Sequence, residues 1–156
     1  MAGFGSPTLT AHGAGRRVAI VGAEWHREIT DRMVERARAA LTDSGVTDVS
    51  VVRVPGTFEL SVACRRLADT YDAVVALGVV IRGGTPHFEY VCEAATVGLT
   101  QVAVQTGVPI GFGVLTCDTE QQARDRAGFP DSPEDKGYEA GLAVLATLEA
   151  LAGVTA

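Results

Sequence analysis

The segment AVVALGVVI (73–81), followed by RGGTPHFEY (82–90), carries the clearest fold signal of this 156-residue chain. Its uninterrupted, valine-rich apolar sequence is typical of a strand buried on both faces of a parallel sheet. Gly83, Gly84 and Pro86 end the strand, and Pro86 suits the first turn of a helix because proline has no N–H to leave unpaired. A strand that leads into a helix in this way indicates a βαβ unit.

Strands and helices also alternate on both sides of this βαβ unit. Strands are also predicted over 17–22, 48–54 and 109–115. Asp118 is the predicted N-cap of a short helix before the last one. The predicted helices cover about 29–41, 57–69, 86–105, 118–127 and 134–151. We therefore predict a three-layer α/β/α fold with a flavodoxin-like, four-stranded, mainly parallel sheet covered by helices on both faces.

The N-terminal segment differs in composition from the rest of the chain. Residues 1–15 are rich in Gly, Ala, Ser and Thr and lack the basic and apolar regions of a signal peptide. We predict that residues 1–15 form a flexible arm and that residues 16–156 form a single domain.

Charge and composition exclude several classes of protein. The chain has 13 Lys and Arg against 19 Asp and Glu and no basic cluster, which argues against nucleic acid as a partner. No apolar segment is long enough to span a membrane. Three cysteines without a CxxC pair indicate neither a disulfide framework nor a zinc site and favour a cytoplasmic protein. Motifs of nicotinamide dehydrogenases, P-loop NTPases and zinc proteases are absent from the sequence.

The topology predicts where a ligand would bind. Parallel sheets bind ligands beyond the carboxyl ends of their strands, which selects the loops at 22–26, 55–59, 82–87 and 116–118. These loops contain the only tryptophan and two of the three histidines of the chain. The loop of Gly83 and Gly84 is either an anion site at a helix N-terminus, most naturally for phosphate, or an ordinary glycine turn before a helix capped by Thr85.

Single residues in and near these loops each allow two interpretations. Trp25 either stacks on a flat heteroaromatic ligand or covers the core. Glu59 either accepts hydrogen bonds from hydroxyl groups or complements a helix dipole. His87 is either a proton shuttle or a surface histidine. Arg126 is either a phosphate ligand or a solvated helix arginine.

Six segments together resemble the lumazine synthase family. The similarity runs from about residue 16 to 151, and the order of the segments is that of the family. The segments are VAIVGAEWHREIT (18–30), VPGTFEL (54–60), ALGVVIRGGTPHFEYV (76–91), FGVLT (112–116), QARDRAG (122–128) and DKGYEA (135–140). The resemblance implies a transferase of riboflavin biosynthesis that condenses 5-amino-6-(D-ribitylamino)uracil with 3,4-dihydroxy-2-butanone 4-phosphate. It implies no metal and no organic cofactor.

The resemblance also assigns roles to the residues that match the family's pyrimidine site. Trp25 takes the place of the ring that stacks on the pyrimidine. The residues implied to hold the ribityl chain are Thr57, Phe58 and Glu59. The strand residues whose backbone is implied to read the uracil edge are Val79, Val80 and Ile81.

The phosphate side of the site is implied by a second set of residues. Gly84 and Thr85 match the phosphate loop, and Arg82 supports it. His87 matches the proposed proton donor. In the family, a neighbouring subunit contributes the aromatic ring that closes the pyrimidine site, which Phe112 matches, and the phosphate-binding arginine, which Arg126 matches. Lys136 matches a lysine near that interface.

Oligomerisation is a further implication. The turn between Gly128 and Lys136 is longer than in family members that build 60-subunit capsids, which favours a free pentamer with active sites between adjacent subunits. The segments 88–105 and 140–152 are poor in charge, as expected of interface helices. In relatives, the N-terminal arm adds a strand to the neighbouring sheet, which makes residues 7–11 the corresponding candidate here.

Two departures from the family pattern leave alternatives open. Trp25 and His26 replace the commoner Phe-Asn pair, and Gly84 stands where Glu, Gln or Ala is usual. An archaeal-type riboflavin synthase and a non-catalytic lumazine- or flavin-binding paralogue are therefore alternatives. A flavodoxin that binds FMN is a weaker one, because the loop after the first strand is a poor phosphate loop.

Overall fold

The computed structural model describes residues 7–154, which form four strands and five α-helices. The elements follow in the order β1 (Arg17–Ala23), α1 (Arg27–Asp43), β2 (Asp48–Val54), a 3₁₀ turn (Thr57–Glu59), α2 (Leu60–Leu67), β3 (Ala73–Ile81), α3 (His87–Thr106), β4 (Ile110–Cys117), α4 (Glu120–Arg124) and α5 (Lys136–Leu151). The predicted strands over 48–54 and 73–81 are confirmed with the same bounds.

The sheet is parallel throughout and has the strand order β2-β1-β3-β4. The predicted flavodoxin-like α/β/α fold is confirmed. Pairing between β1 and β3 ends at Gly22 and Leu77, whereas β3 continues beside β4 as far as Ile81 and Cys117. The carboxyl end of β3 therefore extends beyond β1 and leaves one of its sides open.

Each face of the sheet carries its own apolar core. On one face, Ile20 and Leu77 pack with Met33 of α1 and Leu145 of α5. On the other face, apolar residues of β1 and β3 pack with α2 and α3, and Leu99 is the largest buried side chain that α3 supplies. These two cores hold the carboxyl ends of the strands at one edge, where the predicted loops meet.

The short helix α4 differs from its prediction. It covers only Glu120–Arg124, and its N-cap is Thr119, whose hydroxyl accepts the Gln122 N–H at 3.2 Å. Asp118 was expected to cap, but its carboxylate accepts a hydrogen bond from Arg82 Nε at 2.7 Å instead. A contact 36 residues away along the chain thus moves the helix start.

The part of the arm that the structure describes lies without regular secondary structure over residues 7–13. Ala11 is buried against the core, and the Gly13 N–H donates to the Ser44 carbonyl at 2.7 Å. Residues 1–6 and 155–156 lie outside the described residues. A flexible arm over 1–15, a single domain over 16–156 and a strand over 7–11 stay predictions.

Helix α3 exposes much apolar surface in the single chain, whereas the exposed large apolar side chain of α5 is Leu151 at its C-terminus. Helix α3 buries only Ala95, Leu99 and Val102 among its 20 residues. Its Val97 and Val104 side chains are exposed. None of the helices described within residues 7–154 is long and apolar enough to cross a membrane.

Candidate active site

A cleft of about 300 Å³ opens beyond the carboxyl ends of β1 and β3. It brings together seven of the eight predicted pyrimidine and ribityl residues, all except Phe112, and it also contains His87. The predicted residues that line the cleft are Trp25, Thr57, Phe58, Glu59, Val79, Val80, Ile81 and His87. Gly56 and Val91 also line the cleft and were not predicted. The Pro55-Gly56 pair signalled a turn in the sequence, but nothing local signals its contact with the cleft.

Trp25 is free to contact a ligand. Its side chain is 69% exposed at the tip of the loop after β1, so the alternative interpretation, a lid over the core, is wrong. Gly56 lies beside both side chains: an added Cβ would be in ordinary contact with Trp25 Cδ1 at 3.4 Å and would lie 3.1 Å from Glu59 Oε2. An exposed indole beside a carboxylate suits a flat ligand that carries hydroxyl groups.

Thr57 supplies a hydroxyl at the buried end of this cleft. The residue is only 5% exposed, and its Oγ1 has no hydrogen-bond partner within the described part of the chain. A Cβ at Gly78 would lie 2.6 Å from this oxygen, so the hydroxyl needs a glycine beside it. A buried, unpaired hydroxyl costs about 1–3 kcal/mol, and a polar ligand that bonds to it recovers part of that cost.

The loop between β3 and α3 is anchored by Arg82. Its Nε donates to Asp118 at 2.7 Å, its Nη1 donates to Glu89, and its guanidinium lies 4.2 Å from the centre of the Phe88 ring. The hydrogen bond to Asp118, followed by that to Glu89, raises the pKa of Arg82. The hydrogen bond from Arg82 also lowers the pKa of Glu89, so both groups stay charged near neutral pH.

The backbone amides of this loop are open to solvent. Within residues 7–154, the N–H groups of Gly83, Gly84, Thr85 and His87 form no hydrogen bond. The expected Thr85 cap is wrong, because Pro86 already has right-handed helical angles and occupies the N-cap position without a side-chain hydrogen bond. Free amides at a helix N-terminus favour an anionic ligand.

Phe112, Arg126 and Lys136 lie in a different place. They line a groove of about 610 Å³ along the exposed edge of β4, between α3 and α5. This groove and the cleft at the carboxyl ends of the strands share none of their lining residues. Phe112 is 46% exposed there. One chain therefore carries the predicted site residues as two separate groups.

Arg126, Lys136 and Glu139, which line the groove, form a chain of alternating charges with Glu134, which lies beside it. Arg126 Nη1 donates to the Gln122 carbonyl at 2.8 Å, and its Nε lies 3.7 Å from Glu134 Oε1. Lys136 Nζ lies 2.7 Å from Glu134 Oε2 and 2.8 Å from Glu139 Oε2. Burial lowers the pKa of Lys136, but these two carboxylates outweigh it and raise the pKa overall. Glu134 was not predicted, because its place depends on how the turn folds back.

The described residues give no support for a nucleophilic thiol or for a metal site. Burial raises the pKa of Cys64 to about 12, and it is also the largest cause of the raised pKa values of Cys92 and Cys117. These thiols stay protonated near neutral pH, which makes them poor nucleophiles. Within residues 7–154, no three His, Cys, Asp or Glu side chains are placed to hold a metal ion.

Comparison with known proteins identifies the family of this chain. A family model described as 6,7-dimethyl-8-ribityllumazine synthase matches residues 15–152. The protein of that name from Kineococcus radiotolerans is 65% identical over 155 residues, which cover 99% of this chain and 96% of the relative. The chain belongs to the 6,7-dimethyl-8-ribityllumazine synthase family.

Two further similar proteins carry the same name. That of Arthrobacter sp. is 60% identical over 153 residues, covering 94% of this chain and 95% of the relative. That of Cutibacterium acnes is 59% identical over 150 residues, covering 96% and 90%. Membership in the lumazine synthase family disfavours the archaeal-type riboflavin synthase, the flavodoxin and the non-catalytic paralogue.

The two departures from the lumazine synthase pattern have structural explanations. His26 adopts left-handed angles, φ 53° and ψ 50°, which Asn and His tolerate better than most residues, so either fits before α1. Gly84 does not need to be glycine. An added Cβ meets nothing within 4 Å and its φ is not in the left-handed region, so the Ala or Glu of other lumazine synthases would fit.

Proposed function

We propose that this chain is a 6,7-dimethyl-8-ribityllumazine synthase, a transferase of riboflavin biosynthesis. It condenses 5-amino-6-(D-ribitylamino)uracil with 3,4-dihydroxy-2-butanone 4-phosphate and yields the lumazine, phosphate and water. The observation that carries the proposal is the cleft that unites Trp25, Thr57–Glu59, Val79–Ile81 and His87 beside a loop of unpaired amides. We further propose a cytoplasmic location.

The cleft supplies the contacts that the pyrimidine substrate needs. Trp25 stacks on the planar ring, and the backbone of Val79 to Ile81, which extends past β1, reads the uracil edge. The unpaired Thr57 hydroxyl exchanges hydrogen bonds with the ribityl hydroxyl groups, and the Glu59 carboxylate accepts hydrogen bonds from them. These contacts hold the amine of the pyrimidine in one orientation toward the second substrate.

The second substrate is bound through its phosphate. The unpaired amides of Gly84 and Thr85, at the positive end of the α3 dipole, are proposed to bind this phosphate, and Arg82 holds the loop in place. Arg126 of a neighbouring subunit adds a charged ligand. Holding both substrates side by side is itself a large part of the acceleration, since the amine and the carbonyl then react as if within one molecule.

His87 is the proposed proton shuttle. It is the first residue of α3, is exposed, and lines the cleft next to the phosphate loop. Imine formation, loss of phosphate and ring closure each move a proton, and an imidazole can both donate and accept one. A histidine at this point reaches both the carbonyl and the leaving phosphate side of the second substrate.

The active site is proposed to form between subunits of a homopentamer. Phe112, Arg126 and Lys136 sit in the β4 groove, apart from the cleft, and the exposed apolar residues of α3 provide surface for a neighbour. If the groove of one subunit meets the cleft of the next, both halves form one site. Light scattering should give a mass near five chains; a monomer or a far larger particle would contradict the proposal.

The reaction itself tests the proposed function. Purified protein is mixed with both substrates, while lumazine fluorescence and phosphate release are followed together. Both signals should rise at equal rates and faster than in the spontaneous reaction. A protein that binds lumazine without accelerating either signal would be a non-catalytic paralogue, and the proposal would fail.

Replacing His87 with alanine should reduce kcat by about 10- to 100-fold. A positioned acid–base group typically contributes about 10²–10⁴-fold, and the loss should lie at or below the lower end of this range because proximity still accelerates the reaction. The KM for the pyrimidine should change less than twofold, since Trp25 and Thr57 remain. Steady-state kinetics with each substrate varied in turn measures both values. His12→Ala is the control, since His12 lies outside the cleft and the groove. An unchanged kcat in His87→Ala would remove His87 from the mechanism.

A further inference from the structure

The turn between Gly128 and Lys136 places an additional carboxylate among the cations of the phosphate side. Glu134 Oε2 lies 2.7 Å from Lys136 Nζ, and its Oε1 lies 3.7 Å from Arg126 Nε. The Glu134 N–H donates to the Asp125 carbonyl at 3.1 Å, and its own carbonyl accepts the Gly128 N–H at 3.1 Å. The backbone therefore fixes this carboxylate between the two cations.

Arg126 does not need Glu134 for its orientation. Its Nη1 donates to the Gln122 carbonyl at 2.8 Å, and its own carbonyl accepts the Lys136 N–H at 2.9 Å. The 3.7 Å separation between Arg126 Nε and Glu134 Oε1 is an ion pair without a hydrogen bond. Because 37% of the Arg126 side chain is exposed, an incoming anion can replace Glu134 as its partner.

Charge neutralisation is the main effect of Glu134 on this cluster. Arg126 and Lys136 carry two positive charges, and Glu134 and Glu139 carry two negative charges, so the cluster sums to zero. Glu139 lies 2.8 Å from Lys136, and within residues 7–154 it forms no ion pair with Arg126. Of the two carboxylates, Glu134 is thus the one that opposes an anion at Arg126.

We propose that Glu134 is a positioning residue that competes with the phosphate group of the substrate for Arg126 and Lys136. The inference rests on the proposed function, in which Arg126 binds that phosphate. The competition lowers phosphate affinity and thereby lets the inorganic phosphate product leave the site. The carboxylate returns to Arg126 as phosphate departs, so the cation is never left without a partner.

The substitution Glu134→Gln tests this proposal because it removes the charge and keeps the shape. The KM for the phosphate substrate and the inhibition constant of inorganic phosphate should both fall about two- to fivefold, as expected of a partly exposed ion pair. The KM for the pyrimidine should not change. The gain in phosphate affinity should vanish near 0.5 M NaCl, because salt screens an interaction between charges but does not reverse a change in structure.

Glu139→Gln is the matched control, since it removes a carboxylate from Lys136 alone, and its effect should be smaller than that of Glu134→Gln. A higher KM in Glu134→Gln, or equal shifts in both variants, would overturn the proposal. Direct titration of inorganic phosphate by ³¹P NMR needs no turnover. An inactive wild-type protein would refute the proposed function, whereas unchanged phosphate binding in Glu134→Gln would refute only the role of Glu134.

Discussion

Replacing Arg126 with alanine is expected to raise the KM for the phosphate substrate by about 10- to 150-fold. Removing a hydrogen bond to a charged group costs about 1.5–3 kcal/mol, which corresponds to this increase in KM. The KM for the pyrimidine should change less than threefold, because Phe112 stays in place in the groove and the other predicted pyrimidine contacts line the cleft. Steady-state kinetics with the second substrate saturating measures each KM.

Arg124→Ala is the matched control for this prediction. Arg124 lies two residues away, pairs with Glu28 and covers the Phe129 ring, so it carries the same charge without lining the groove. Its KM values should stay within twofold of the wild type. Equal losses for both substrates in Arg126→Ala, or equal losses in both variants, would contradict a specific contact between Arg126 and phosphate.

Replacing Gly137 with alanine is expected to lower the free energy of unfolding by about 2–3 kcal/mol. Helices α1 and α5 are so close here that an added Cβ would lie 2.5 Å from the Met33 carbonyl oxygen and 3.0 Å from Met33 Cα. Both atoms belong to the backbone, so relief requires the helices to separate. The better helix propensity of alanine offsets only about 1 kcal/mol of the strain. The midpoint of thermal unfolding should fall by about 5–10 °C.

Gly84→Ala is the control for stability, because a Cβ there meets nothing within 4 Å. Its unfolding midpoint should stay the same or rise slightly, since alanine restricts the unfolded chain. Calorimetry at one protein concentration compares the variants, because subunit association shifts the midpoint. A fall in Gly84→Ala as large as that in Gly137→Ala would contradict the steric explanation.

Most of the fold could be predicted, because local signals and packing agree along the chain. The valine-rich segment 73–81 forms β3 with the predicted bounds. Its β-branched residues favour a strand, and a strand buried on both faces requires apolar residues, so local preference and packing agree. The start of α4 could not be predicted. The Asp118 carboxylate that could cap it is engaged by Arg82, and no local pattern reveals a partner 36 residues away.

The site could be predicted in part, because local signals place its loops between strands and helices. Trp25 and His87 stand in loops that a parallel sheet always brings to one edge, and the resemblance supplied their roles. Gly56 and Glu134 were missed, because their importance comes from contacts. Gly56 lies against the Trp25 indole, and Glu134 reaches Arg126 only after the turn folds back.

By itself, the sequence determined the alternation of strands and helices, the edge of the sheet where the ligand loops gather, and the residue types in those loops. These follow from periodicity and turn chemistry within a few residues. Only the tertiary structure decided that the site residues form two groups, a cleft with Thr57 at its buried end and a groove along β4. That division depends on β4 lying at the edge of the sheet, next to β3 and far from β2. Strand order is set by packing between distant segments, which no short stretch of sequence encodes.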